Sequence, residues 1–483
     1  MECMDGYTAG TPPSWGLPLF TVHSMFHRNG DKAWLAKLYP LLTGYLEFWL
    51  KNRTDSGGYQ IAMCSWESGQ DNGRRWGWAD PENQDGIPGP LGGNGVVGGQ
   101  VYGGDRSTRS IRAPEHQAAM AFSAGVMANF AKVLDKPDDI PKWRSVVDKH
   151  VNLTNSLYSK EHNWWCDYNS VAKVWQTGCN DNGPESGVNG AGKEIMQMAP
   201  LFFHTPALGV DLLSGGPGGV GTPALAELLT VVSDPRKMGN GPGKPIPGGK
   251  FRNGVWSSGG GATWGPQPFL TIALAGNLNQ TALASGTTKR LVDAVWATTD
   301  ARKRTHYGNS QPSGVSDRGS DGSPYPGVSY ECWQLNTTNS TSGQPVPALA
   351  TSCGAEDYSW TTEATTVNVI REVIGFREHH SFDASAFVLR PALPREWIEV
   401  GAGAAVYSVR DLSWRNVSLD IHFTTQASGE DMLLDVMVEE SAVTAADGSR
   451  RPRRVAFSVI NAEEEVHIRV LEEAFLLERV PRR

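Results

Sequence analysis

Two carboxylates, two guanidiniums and two indoles crowd the stretch Ser65-Trp66-Glu67-Ser68-Gly69-Gln70-Asp71-Asn72-Gly73-Arg74-Arg75-Trp76. Cleavage of a glycosidic bond needs a protonated carboxyl beside the leaving oxygen and an ionised carboxylate on the opposite face of the sugar. This stretch supplies one such carboxyl, groups that bind hydroxyls (Glu67, Arg75), and indole faces that can stack on a sugar (Trp66, Trp76). A surface loop closed by a Glu67–Arg75 ion pair would carry the same residues. The stretch alone does not decide between the two.

The elements that must position it are helices. Trp34, Leu38, Leu41, Leu42, Tyr45 and Trp49 recur at helical spacing and predict a helix over 33–50, kinked at Pro40. A second helix is predicted over 114–134, with Pro114 at its start and Glu115 in its first turn. Its middle is apolar nearly all round, so it is expected to be buried on several sides. Further helices are expected over 140–158, 222–233, 266–277, 286–298 and 361–374. Long Gly-rich loops over 84–105, 235–262 and 308–350 separate them, and loops of that length are usually functional.

After about residue 383 the period changes. Val406–Val409, Leu419–Phe423 and Val466–Val470 alternate apolar with polar residues, and Leu433–Val438 and Val455–Ile460 add two further strands. The expectation is an α-helical body over 1–382 and a β-sandwich over 383–483.

Composition narrows the function. The net charge is −8, and Arg450–Arg454, interrupted by Pro452, is expected as a solvated loop between strands, so nucleic acid is a poor partner. No apolar run is long enough to span a bilayer, and Met1–Gly6 lack the start of a signal peptide. Sequons at Asn52, Asn152, Asn279, Asn336, Asn339 and Asn416 nevertheless suggest a glycoprotein of the secretory pathway or exterior. Cysteine usage is consistent with that route. Cys166 with Cys179, and Cys332 with Cys353, are close enough in sequence to close loops, leaving Cys3 and Cys64; six free thiols is the alternative. With no Cys-x-x-Cys and no His-Glu-x-x-His, no metal and no cofactor are expected, although a structural Ca²⁺ is compatible with the loops. His379-His380 is read as a helix end. Gly93–Gly98 matches Gly-x-Gly-x-x-Gly without a strand before it or a helix after it, which argues against a nucleotide site.

The stretch from Trp66 to Asn72 resembles the Trp-Glu-Ser-Gly-x-Asp-Asn signature of glycoside hydrolase family 63 and the mannosylglycerate-hydrolase-like group. Asp71 followed by Arg75-Trp76 is also similar to family 37 trehalases. Upstream, Thr11–Trp15 resembles the family's Gln-Pro-Pro helix start, and Asn52-Arg53-Thr54-Asp55 its Arg-Asp turn. Downstream, Trp264-Gly265-Pro266 resembles a Tyr-Trp-Arg-Gly-Pro segment, without its arginine. Ser329–Trp333 resembles a Tyr-Glu motif, and Tyr358–Thr361 a Gly-Trp-Ser segment.

The resemblance implies an (α/α)6 toroid, a six-hairpin barrel, with Asp71 as general acid and Glu331 as general base of an inverting reaction. Trp66, Glu67, Arg75, Trp264 and Trp360 are then the expected sugar-binding residues, with Glu356, Asp357 and Glu363 as substitutes for the base. The two carboxyls should stand about 6.5–9.5 Å apart, leaving room for the attacking water. The expected substrate is a carbohydrate with a terminal α-glucoside or α-mannoside, and the expected state a monomer. The alternatives are a trehalase-like α,α-glucosidase and an inactive, carbohydrate-binding relative. In the family, helices and a β domain precede the Pro-Pro segment, so this chain is expected to be a truncated form.

Overall fold

The computed structural model describes residues 17–62, 96–97, 100–101, 110–160, 164–170, 173–175, 204–213, 262–264, 266–297, 330–335, 350–356, 366–378, 386–393, 406–415, 417–425, 431–440, 453–461, 464–470 and 475–481. Among these, helices and short antiparallel sheets make up the first part, and two larger antiparallel sheets the last.

Six α-helices are described: α1 (Leu17–Asn29), α2 (Lys32–Asn52), α3 (Pro114–Val133), α4 (Asp139–Ser156), α5 (Pro266–Asn277) and α6 (Thr281–Ala297). Helix α2 begins at Asp31, whose carboxylate accepts the Trp34 N–H at 2.9 Å and so caps an otherwise orphan donor. It runs unbroken through Pro40. Proline removes the bond to the Ala36 carbonyl, but both residues are exposed and water can serve that oxygen.

Helix α3 has Pro114 in its first turn and is buried continuously from Pro114 to Ala128. It is the centre of the helical part: α1, α2 and α4 all pack against it. Phe130 meets Phe26 of α1 edge-on, with ring centroids 6.0 Å apart. A polar chain ties α2 to α4: Trp143 Nε1 donates to Tyr39 Oη at 3.1 Å, and that hydroxyl donates to Asp139 Oδ2 at 2.8 Å. Burial, together with the Asp139 carboxylate, pushes the Tyr39 phenol up to about 12.

Helix α6 starts five residues before the expected 286. Its first turns are rich in Thr and Ser, which hide a helix start, yet Ser285, Thr287 and Thr288 are buried. Thr288 satisfies its hydroxyl on the Ala284 carbonyl at 2.8 Å. The segment expected as a helix over 361–374 is described from 366, and becomes a π-turn over Val369–Val373. The helix expected over 222–233 lies outside the described residues.

Strands long enough to label are β1 (Ala262–Trp264), β2 (Tyr330–Leu335), β3 (Ala350–Glu356), β4 (Phe376–Glu378), β5 (Ala386–Leu389), β6 (Val406–Trp414), β7 (Val417–Thr425), β8 (Asp431–Glu440), β9 (Arg453–Asn461), β10 (Glu464–Val470) and β11 (Phe475–Pro481). They form three antiparallel sheets, ordered β1-β2-β3, β4-β5-β10-β11 and β6-β7-β8-β9. Strand β4, on the near side of residue 383, thus pairs into the sheet of β10 and β11. Arg453 and Arg454, expected in a loop, begin β9 opposite Val438 and Met437. Within the Gly93–Gly98 stretch, Val96–Val97 pairs with Gln100–Val101 as a small hairpin.

Phe376, Phe387 and Leu389 from one four-stranded sheet share an apolar cluster with Leu412, Trp414, Leu419, Ile421 and Phe423 from the other. Helix α1 is the clamp onto these strands. Its His27 ring bonds the Ala386 carbonyl at 3.2 Å, its Arg28 guanidinium lies 4.3 Å over the Phe376 ring, and its Arg28 carbonyl accepts the Arg415 N–H. Among the described residues, no helix is long and apolar enough to cross a membrane.

Candidate functional site

The approach to the Trp66–Trp76 stretch is built by a tight turn after α2. The Arg53 N–H closes the helix on the Trp49 carbonyl at 2.9 Å, and the buried Arg53 guanidinium lies 4.9 Å over the Phe48 ring. Asp55 then organises the turn. Its Oδ1 accepts the Gly57 N–H at 2.8 Å and the Tyr59 N–H at 3.0 Å. Gly58 takes a positive φ of 85°, which a residue with a Cβ tolerates poorly. The chain returns antiparallel, with Thr54 bridged to Gln60 and the Ile61 N–H donating to the Arg53 carbonyl at 2.9 Å.

Both ends of segment 63–109 are tied to this turn. On the outgoing side, Gln117 in the first turns of α3 accepts the Gln60 N–H at 2.9 Å and donates to the Gln60 carbonyl at 2.9 Å. A side-chain amide here takes the place of a neighbouring strand. On the returning side, Arg112 Nε donates to Asp55 Oδ2 at 2.7 Å, and its guanidinium lies 4.1 Å over the Tyr59 ring. The pair Ile111–Arg112 is held in turn by Tyr168–Asn169. The described residues that flank segment 63–109 therefore meet at one place, beside the N-terminal end of α3. Trp66, Glu67, Asp71 and Arg75 are within it and lie outside the described residues, as do Trp360, Asp357 and Glu363.

Two of the expected site residues fall on one sheet. In the register of β1 and β2, Trp264 is the Cα partner of Cys332, the residue after Glu331. On the other side of β2, Tyr330 pairs with Glu356 and Cys332 with Cys353. Gly354 and Ala355 therefore oppose the single residue Glu331, which is a β-bulge. Bulges are over-represented beside active sites, where they re-aim a side chain. The register thus puts the positions of Trp264, Tyr330, Cys332 and Glu356 on one face of the sheet, and that of Glu331, between Tyr330 and Cys332, on the other.

A second charged cluster went unread in the sequence. Arg371 pairs with Glu378 and Arg377 with Glu372, all within or beside the π-turn and β4. Arg377 also donates from Nε to the Arg371 carbonyl at 3.1 Å and from a terminal nitrogen to Asn277 Oδ1 at 3.3 Å. Burial would raise the Glu378 carboxyl, but the Arg371 guanidinium, with the His27 and His23 rings when charged, holds it well below the usual carboxylate range. Burial lowers His23 and His27 to about 4 each, against the opposing pull of Glu378. The signal was there: Arg371-Glu372 and Arg377-Glu378 flank Gly375 as a repeated Arg-Glu pair. This cluster joins α1, α5 and the strands.

Cys166 is disulfide-bonded, which removes six free thiols as a reading. Among the described residues, no group of three or more His, Cys, Asp or Glu side chains is placed to hold a metal ion.

Residues 19–210 match the family model of the mannosylglycerate hydrolase MGH1-like glycoside hydrolase domain. The matched span runs from within α1 through α4, with the Asp55 turn and the Trp66–Trp76 stretch, and it bears out the resemblance to the mannosylglycerate-hydrolase-like group. A solved structure described as a sialidase has a similar fold, with a TM-score of 0.51 at 12% sequence identity. That match covers 90% of this chain and 32% of the other, so this chain spans about a third of that structure's length. No curated protein matches.

Proposed function

We propose that this chain, whose residues 19–210 match a glycoside hydrolase domain, is an inverting α-glycosidase acting on terminal α-glucosides or α-mannosides of oligosaccharides. Asp71 is the general acid and Glu331 the general base. The fold of the whole is an (α/α)6 toroid over 1–382 with a β-sandwich over 383–483 that strand β4 of the first part joins, acting as a monomer in the secretory pathway or outside the cell, without a cofactor.

The observation that carries the reading is the position of Glu331 opposite a bulge. A general base needs a fixed backbone and an unhindered approach for one water, and a bulge provides a local re-aiming that a regular ladder does not. The anchoring of both ends of segment 63–109 supports the other half, because an acid carried on a long connection must be held at its ends to act at a fixed place.

The chemistry follows from the two roles. Asp71, kept protonated by neighbouring indoles that exclude water, gives its proton to the leaving glycosidic oxygen as the C–O bond breaks. Glu331, ionised, takes a proton from the water that attacks the anomeric carbon from the opposite face. The bond formed is on the other side of the ring, so an α-linked substrate yields a β-sugar. Trp66, Trp264 and Trp360 stack on sugar faces, while Glu67 and Arg75 bind hydroxyls.

Substitution tests the assignment. Asp71→Asn and Glu331→Gln should each lower kcat by about 10²–10⁴-fold on an α-glucoside or α-mannoside disaccharide, the usual contribution of a general acid or base. Either variant retaining most of the wild-type rate contradicts the role given to that residue.

A further inference from the structure

We propose that Cys332 and Cys353 form a cross-strand disulfide that fixes the strand carrying Glu331 against the bulge opposite it. The two cysteines are Cα partners in the β2–β3 register. Directly opposed residues of an antiparallel pair share one face of the sheet, with Cα atoms about 4.5 or 5.5 Å apart, and both distances lie inside the range of about 4.4–6.8 Å that a disulfide spans. Cys166 of the same chain is also disulfide-bonded, so a second bond calls for no redox condition that the first does not.

The position gives the bond a purpose. The extra residue of the bulge, Gly354-Ala355 against Glu331, is where the pairing of β2 with β3 can slip. Gly354 adds backbone freedom at that point. Cys332 is next to Glu331, and Cys353 is next to Gly354, so a covalent link there holds the register on the side of the bulge away from the Tyr330–Glu356 pair. Formation is an exchange. One thiolate attacks an external disulfide, the second displaces it from the mixed disulfide, and the external disulfide leaves as two thiols. The cysteines are oxidised by two electrons in all. Cys332 and Cys353 are positioning residues here, and that role rests on reading Glu331 as the general base, whereas the bond itself does not.

The test has two arms. Peptide mapping of the intact, unreduced protein after alkylation should recover Cys332 and Cys353 in one cross-linked species. Recovery of either as an alkylated thiol, or joined to another cysteine, overturns the bond. In the second arm, the double variant Cys332→Ala/Cys353→Ala should lose kcat by about ten- to a hundred-fold, the scale of a small misplacement of a catalytic group, with KM nearly unchanged. The limb of its pH–rate profile set by the base should also move. If the double variant does not fold, the native enzyme reduced and alkylated without denaturant provides the same readout. Wild-type kcat and profile without the bond overturn the positioning role. A wild-type protein that has the bond but turns over no α-glycoside overturns the reading of Glu331 and leaves the bond standing.

Discussion

Gln117 brackets the backbone of Gln60, accepting its N–H at 2.9 Å and donating to its carbonyl at 2.9 Å. The amide is fully buried and also meets the Ala113 carbonyl at 3.2 Å and His150 Nδ1 at 3.2 Å. Truncation leaves buried backbone groups without partners, at about 1–3 kcal/mol for each. Gln117→Ala should therefore lower the urea midpoint markedly, and the Gln60 amide should lose its hydrogen-exchange protection before its neighbours on α2. Gln117→Glu should be at least as harmful, because it keeps the acceptor but buries a charge. A Gln117→Ala variant as stable as the wild type would mean that Gln60 finds its partners elsewhere.

Asp55 separates two functions between its oxygens. Oδ1 builds the turn, and Oδ2 meets Arg112, which is largely buried beside it. Asp55→Asn keeps an oxygen for the turn but faces the Arg112 N–H with a donor in place of an acceptor, so it should cost about 1–1.5 kcal/mol. Asp55→Ala loses both and should cost roughly 1–3 kcal/mol. It should also release the returning end of segment 63–109, raising the rate of protease cleavage within that segment. Equal behaviour of the two variants in urea and in proteolysis would contradict this division.

Acid should weaken the join between α1 and the strands in two stages. His23 and His27 titrate at about 4 in the fold, below their ordinary value near 6.5. Between those limits the unfolded chain binds more protons than the folded one, so stability is full above about pH 6.5 and falls as pH drops toward 4. His150, lowered by burial to about 3, adds to the same trend. Glu378, depressed by Arg371, contributes stability above the ordinary carboxylate range that is lost only at lower pH. Thermal melting from pH 8 to 4 should show a plateau and then a fall beginning near pH 6.5. In His27→Gln the first stage should shrink; an unchanged profile would show that this imidazole is not the proton acceptor.

Gly375 joins the π-turn to β4 at a φ of 79°, and a Cβ built there would stand 2.1 Å from the Arg390 carbonyl carbon. The obstacle is backbone, and the Arg390 N–H is bonded to the Gly375 carbonyl at 2.9 Å, so it cannot move aside cheaply. Gly375→Ala combines strain at positive φ with overpacking, each worth about 1–3 kcal/mol. Low soluble yield or a midpoint lowered by that amount is the expected outcome; a neutral substitution would show that β4 can shift relative to β5.

Periodicity made α2, α3, α4 and α5 legible to within two residues, because each carries an apolar face or flanking proline that only a helix explains. It did not reveal α1, whose buried face mixes Leu19 and Phe26 with His23 and His27. Those histidines are inside because the strands supply partners that the sequence around them does not announce. Strands β1 to β5 and β11 were missed, β2 inside the stretch expected as a loop over 308–350. Ala386–Leu389 is buried throughout and shows no alternation, while β4 spans only three residues. Of the candidate site, Glu331 and Trp264 came from separate motifs, and their adjacency is a matter of strand register that no spacing in the chain encodes.

The stereochemistry of the released sugar tests the central claim most directly. Proton NMR of the first minutes of hydrolysis of an α-glucoside or α-mannoside should show the β-anomer appearing first, followed by slower mutarotation. Release of the α-anomer first would contradict an inverting pair of carboxyls and, with it, the roles proposed for Asp71 and Glu331.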